Sequence, residues 1–98
     1  MLTKSAKAKA RRLQNLVSEK LFEKGFHNKP AIMGEGGVDI QWAEPWAIEC
    51  KNCETWGVPA WWRQAVANSG DKKPLLVMAK NRHEPLVVMR LDDWVDLL

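Results

Sequence analysis

The sequence predicts an α/β fold, a central mixed β-sheet flanked by helices in the order αβββαββα. Three observations carry that expectation. A Gly- and Pro-free opening segment repeats apolar residues at helical spacing. Two short stretches near the middle alternate apolar and charged residues, and two continuous apolar runs around a polar turn follow a second helical segment. No repeat, linker or low-complexity segment divides the chain, so residues 1–98 are read as one domain with a modest core.

Residues 4–24 are rich in Ala, Leu, Lys, Arg, Gln and Glu, and the helix they form should end at Gly25. At about 100° per residue, Ala6, Ala10, Leu13, Val17 and Leu21 fall on one stripe, the face expected to pack on the sheet. Lys7, Arg11, Gln14 and Ser18 flank that stripe on one side, and Glu19 lies opposite it. Two of the three following strands are placed by pattern: one holds Asp39 between Val38 and Ile40, the next reads Ile48-Glu49-Cys50-Lys51. The stretch 42–46, containing Pro45, is short enough to be the turn between them.

The second helix should start at Pro59, which suits a first helical turn, and run to about Ser69 before Gly70. Trp61, Trp62, Ala65 and Val66 make its apolar face, with Gln64 and Asn68 one turn apart beside Trp61. The apolar runs 75–79 and 86–89, separated by Lys80-Asn81-Arg82-His83-Glu84, read as a buried hairpin. The segment from Leu91 closes the chain as a short helix whose Asp92 and Asp93 favour its N-terminus.

The net charge of +3 is unevenly spread: residues 1–24 carry seven basic and two acidic side chains, +5, leaving −2 elsewhere. Basic charge concentrated on one helix is the footprint expected for a phosphate backbone. No apolar run approaches the roughly 18 residues needed to span a bilayer, and the basic start lacks the apolar segment of a signal peptide, so a soluble, intracellular protein is expected. Cys50 and Cys53 share the Cys-x-x-Cys spacing of zinc and redox sites. With His27 and His83 in unrelated surroundings, a buried, inert Cys50 thiol is the better reading. Six tryptophans invite either base stacking or packing. For Trp61 and Trp62 packing is favoured, whereas Trp56, in a polar loop, leaves both open.

In a strand alternate residues share a face, so Glu49 and Lys51 point one way while Ile48 and Cys50 point the other. Asp39 follows the same pattern, and two carboxylates with an ammonium should converge at one edge of the sheet. Carboxylates held that close repel unless a divalent cation neutralises them, and hard oxygen ligands suit magnesium or manganese.

Asp39 followed by Glu49-Cys50-Lys51 resembles the PD-(D/E)XK nuclease motif. The resemblance extends to Gly34-Glu35-Gly36-Gly37 before the aspartate, Asn52 after the lysine, Gln64 in the second helix and the late strands. Over residues 11–98 the chain is similar to small phage-encoded members related to Holliday junction resolvases and to the VRR-NUC domain. It departs at Val38, where the superfamily name implies proline.

The resemblance implies a restriction-endonuclease-like core and a metal-dependent DNA endonuclease, structure-selective on branched or junction DNA. A nicking, flap or restriction-like nuclease, or a non-catalytic DNA-binding module, is the alternative. Asp39, Glu49 and the backbone carbonyl of Cys50 would hold Mg2+, with Mn2+ able to substitute. Lys51 would orient or activate water. Gln64 would border the site, and Gln14 rather than Glu19 would look into it from the first helix. Lys7, Arg11, Ser18, Trp56 and Asn68 are the expected DNA contacts, whereas Lys9, Arg12 and Lys20 point elsewhere. A homodimer is expected, in the host cytoplasm if the chain is phage-encoded.

Overall fold

The computed structural model describes residues 4–32 and 37–98. Its elements are α1 (Lys4–Glu23), β1 (Lys29–Pro30), β2 (Ile40–Gln41), β3 (Trp46–Asn52), α2 (Val58–Ser69), β4 (Lys73–Ala79), β5 (Leu86–Met89) and α3 (Leu91–Val95). The strands form one five-stranded sheet in sequence order. Every neighbouring pair is antiparallel except β3 and β4, whose parallel pairing is the crossover that α2 makes. This is an α/β fold with a mixed sheet flanked by helices, consistent with a restriction-endonuclease-like core.

α1 stops where a glycine lets it. Gly25 adopts φ 90°, and the Gly25 and Phe26 amides bond back to the carbonyls of Phe22 and Leu21. Those bonds satisfy carbonyls the helix end would otherwise leave open.

Strand alternation sorts the core into two layers. Leu13 of α1 packs with Ile40, Ile48, Cys50, Val77 and Ala79, edged by Val17, Leu21 and Trp46. On the opposite face lie Ala47 and Glu49 of β3 with Leu76 and Met78 of β4, beneath Ala65 of α2. β3 is therefore buried on both faces, and Glu49 goes under α2 because its neighbours Ile48 and Cys50 belong under α1.

Three expectations are corrected. Asp39 lies just before β2 rather than inside a strand. The face α1 buries is rotated toward its polar flank: Gln14 and Ser18 are buried with Leu13, while Val17 and Leu21 are only half-buried. Asn28, itself buried, packs beside this face and donates to the Ser18 carbonyl at 3.3 Å and to that of Phe26 at 2.9 Å. The β4–β5 hairpin forms but only β4 is buried: β5 is the sheet edge and leaves Leu86 and Val87 exposed. No helix among the described residues is long and apolar enough to cross a membrane.

Candidate functional site

Asp39 and Glu49 meet where β2 and β3 begin to pair. Ile40 opposes Ile48, which would place Asp39 across from Glu49, but the Asp39 amide bonds the Ile48 carbonyl at 2.9 Å. The ladder thus slips by one residue, as at a β-bulge. The slip turns the aspartate over the next peptide, and its Oδ2 accepts the Cys50 N–H at 2.7 Å. In a strand a residue's N–H and C=O point to the same side, so the Cys50 carbonyl also faces the Asp39 side.

Each carboxylate has a polar partner from one helix. Gln14, 5% exposed, hydrogen-bonds Asp39 from α1. Asn68 donates to Glu49 Oε2 at 3.4 Å from α2. Lys51 follows Glu49 on the same face, its Nζ 3.8 Å from Glu49 Oε1.

Burial raises the Asp39 carboxyl above its ordinary range, against the Cys50 amide, the Lys51 charge and the Gln14 hydrogen bond, which all lower it. Burial, then repulsion from Asp39, pushes Glu49 up to about 7, with Asn68 and Lys51 opposing. Two hard-oxygen carboxylates that resist sharing negative charge, with a carbonyl beside them, fit a divalent cation of the magnesium class. Among the described residues no group of three His, Cys, Asp or Glu side chains is gathered to hold a metal, so this pair would rely on the carbonyl, water and substrate oxygens for its remaining ligands.

The raised Glu49 carboxyl has a consequence for stability in metal-free protein. Its folded value lies above the unfolded one, so the folded state loses stability as pH rises from about 4.5 to about 7 and carries the full penalty above that window. Glu49→Gln keeps an acceptor for Asn68 and removes the charge. In EDTA the variant should exceed wild type by about 3 kcal/mol at pH 8, the gain vanishing near pH 4. Urea denaturation at both pH values measures this, and equal stability at pH 8 would contradict it.

The other expected residues divide. Lys7 and Arg11 are exposed on α1, Arg11 lining a groove with Gln14. Ser18 is buried, its carbonyl held by Asn28, and cannot be a DNA contact. Gln64 is exposed, and the α2 amide that reaches Glu49 is Asn68, one turn later. Trp56 is half-buried: its indole N–H donates to the Ala79 carbonyl at 3.3 Å, and its ring meets His83 edge-on beneath the Lys80 ammonium. Lys9 pairs with Glu54 at 2.9 Å, which also accepts the Asn81 amide, and Asn52 donates to the Lys9 carbonyl. This latch fixes the start of α1 against the chain leaving β3, and sequence spacing gave no sign of it. Glu19 is exposed. Cys50 is buried, its thiol pushed far up by burial and by the two carboxylates, and Cys53 is exposed; neither is in a disulfide. Gly34 to Gly36 lie outside the described residues.

A family model described as "Phage putative PDDEXK endonuclease" matches residues 9–98. No curated protein and no solved structure matches the chain.

Proposed function

The chain belongs to that phage PDDEXK endonuclease family, and we propose that it is a divalent-metal-dependent DNA endonuclease selective for branched DNA, residues 1–98 acting as one nuclease domain. The observation that carries this reading is the convergence of Asp39 and Glu49 from different segments, with Lys51 on the same face.

Asp39, Glu49 and the Cys50 carbonyl would hold Mg2+ or Mn2+. The bound cation supplies charge neutralisation at the scissile phosphate and acidifies water. Gln14 and Asn68 would hold the two carboxylates in place for that cation. Lys51, partly exposed beside Glu49, orients the attacking water and offsets phosphoryl charge in the transition state. Gln64 shares a helix face with Asn68 and lies toward solvent, where substrate approaches. Cleavage of a labelled panel of duplex, flap and four-way junction DNA, with magnesium and with EDTA, tests the reading. Metal-dependent cleavage favouring branched substrates supports it; binding without cleavage under every metal would make the chain a non-catalytic DNA-binding module.

Lys7 and Arg11 are the proposed backbone contacts leading to the site, the Trp56 ring lying too deep in its own packing to lead. Neutralising both to Gln should weaken junction binding and lower the slope of log affinity against log salt by about 2. The same change at Arg12 and Lys20 should do much less. Equal effects would mean that net charge alone matters.

A homodimer is part of the reading, formed through the uncovered edge of β5 and α3. Leu86, Val87, Leu91, Trp94 and Val95 are exposed there, and Val87, Leu91 and Trp94 line one shallow apolar concavity. An antiparallel second copy paired about the centre of β5 would set Leu86 of one chain opposite Met89 of the other and Val87 opposite Val88, so the strand edge is self-complementary in apolar side chains. Sedimentation at micromolar concentration should give a dimer mass, and Val87→Lys should give a monomer. A wild-type monomer would shift the reading toward a nicking or flap enzyme.

A further inference from the structure

We propose that the groove between α1 and β1, together with the Trp42 ring beside its Lys29, is a binding site for an unpaired DNA strand that leads into the carboxylate pair. This deepens the nuclease reading and rests on it for the nature of the strand.

The groove has a volume of about 330 Å3 and is lined by Arg11, Gln14 and Asn15 of α1 and by the chain at Lys29, Pro30 and Ala31. Among the described residues that line it, Arg11 and Lys29 bring cations from the two sides and none is an acid, the electrostatics a phosphate backbone requires. It is continuous with the site: Gln14, which lines it, bonds the Asp39 side chain, and the Ala31 amide bonds the Asp39 carbonyl at 2.8 Å.

Trp42 supplies the second observation. It follows β2 with φ 63°, in the left-handed region where a turn ordinarily uses Gly or Asn, and its side chain is 65% exposed. The backbone conformation costs the folded state, and a ring this exposed gains little burial to offset it. The Lys29 ammonium lies 5.7 Å from the indole centroid, joining this ring to the cationic groove. With most of its surface open, the ring keeps room for a flat partner.

Trp42 stands three residues beyond Asp39, about 10 Å in extended chain, which is about three stacked bases at ~3.4 Å each. Phosphates on Arg11 and Lys29 would then place a base on Trp42 while the strand continues to Asp39. A continuous duplex hides the faces of its bases in its own stack and offers the ring nothing. A flap, fork or gap does offer one, so this surface selects the unpaired strand at a branch.

Binding of a fluorescent oligo-dT strand and of a blunt hairpin duplex, measured in calcium to prevent turnover, tests the site. Trp42→Ala should lose about tenfold in affinity for oligo-dT and leave duplex affinity unchanged, and Trp42→Phe should retain most of the difference. Trp42→Gly should lose as much as Trp42→Ala yet melt at a higher temperature, because glycine relieves the backbone. Arg11→Gln with Lys29→Gln should reduce the oligo-dT salt slope by about 1.4, two contacts at ~0.7 each. Unchanged oligo-dT affinity in Trp42→Ala, or an equal fall on both DNAs, overturns the proposal. Wild-type cleavage in magnesium is measured in parallel. Absent cleavage with Trp42-dependent oligo-dT binding overturns the nuclease reading and upholds this site.

Discussion

Asp39→Asn should lower DNA cleavage by on the order of a thousandfold or more, about 4 kcal/mol of transition-state stabilisation, with the fold intact. The asparagine oxygen can still accept the Cys50 N–H that Oδ2 now accepts at 2.7 Å, and the buried carboxyl it replaces is itself held above its ordinary range. What disappears is one of the two anionic oxygen donors. Magnesium should accordingly raise the melting temperature of wild type and leave that of the variant unchanged. Single-turnover cleavage and thermal melting with and without magnesium read the two effects separately. Undiminished cleavage by Asp39→Asn would remove it from the site, and loss of folding would assign the residue to structure.

Lys51→Ala comes next in size, with turnover expected to fall by at least about a hundredfold. Its ammonium sits 3.8 Å from Glu49 and its side chain is about one quarter exposed; on the proposed reading it would be one cation among the many that grip DNA. Affinity for junction DNA in calcium should therefore stay close to wild type. Losing the cation also leaves Glu49 and Asp39 with less compensation, so the variant should be less stable than wild type in EDTA at pH 8 and recover in magnesium. A parallel loss of binding and turnover would recast Lys51 as a phosphate anchor.

The element order and much of the carboxylate pair were legible because they depend on periods two and 3.6, which a sequence displays. Ile48 and Cys50 must face a core, so Glu49 and Lys51 must share the other face, and the helical stripe separates Gln14 from Glu19. What stayed hidden depends on how elements sit against each other. Asn68 rather than Gln64 meets Glu49 because the axial position of α2 over β3 is a packing outcome that no spacing in α2 records. Ser18 passed for a surface residue because the rotation of α1 against the sheet, and the contact of its carbonyl with Asn28 ten residues away, leave no mark in the helix's own spacing. The two residues of β1 are too few to show alternation. The runs in β4 and β5 look alike, yet one lies inside the sheet and the other at its edge, a difference of neighbours rather than of composition.

Among the described residues, the Cys50 peptide is the point where the backbone itself donates to a site carboxylate. Its amide proton is a reporter built into the chain. In the metal-free protein its shielding and its exchange with deuterium should follow the charge on Asp39, and a cation that drew on the same carboxylate would alter both. Heteronuclear spectra of an isotope-labelled sample can thus follow ion occupancy at a single backbone resonance, without DNA, turnover or an added label.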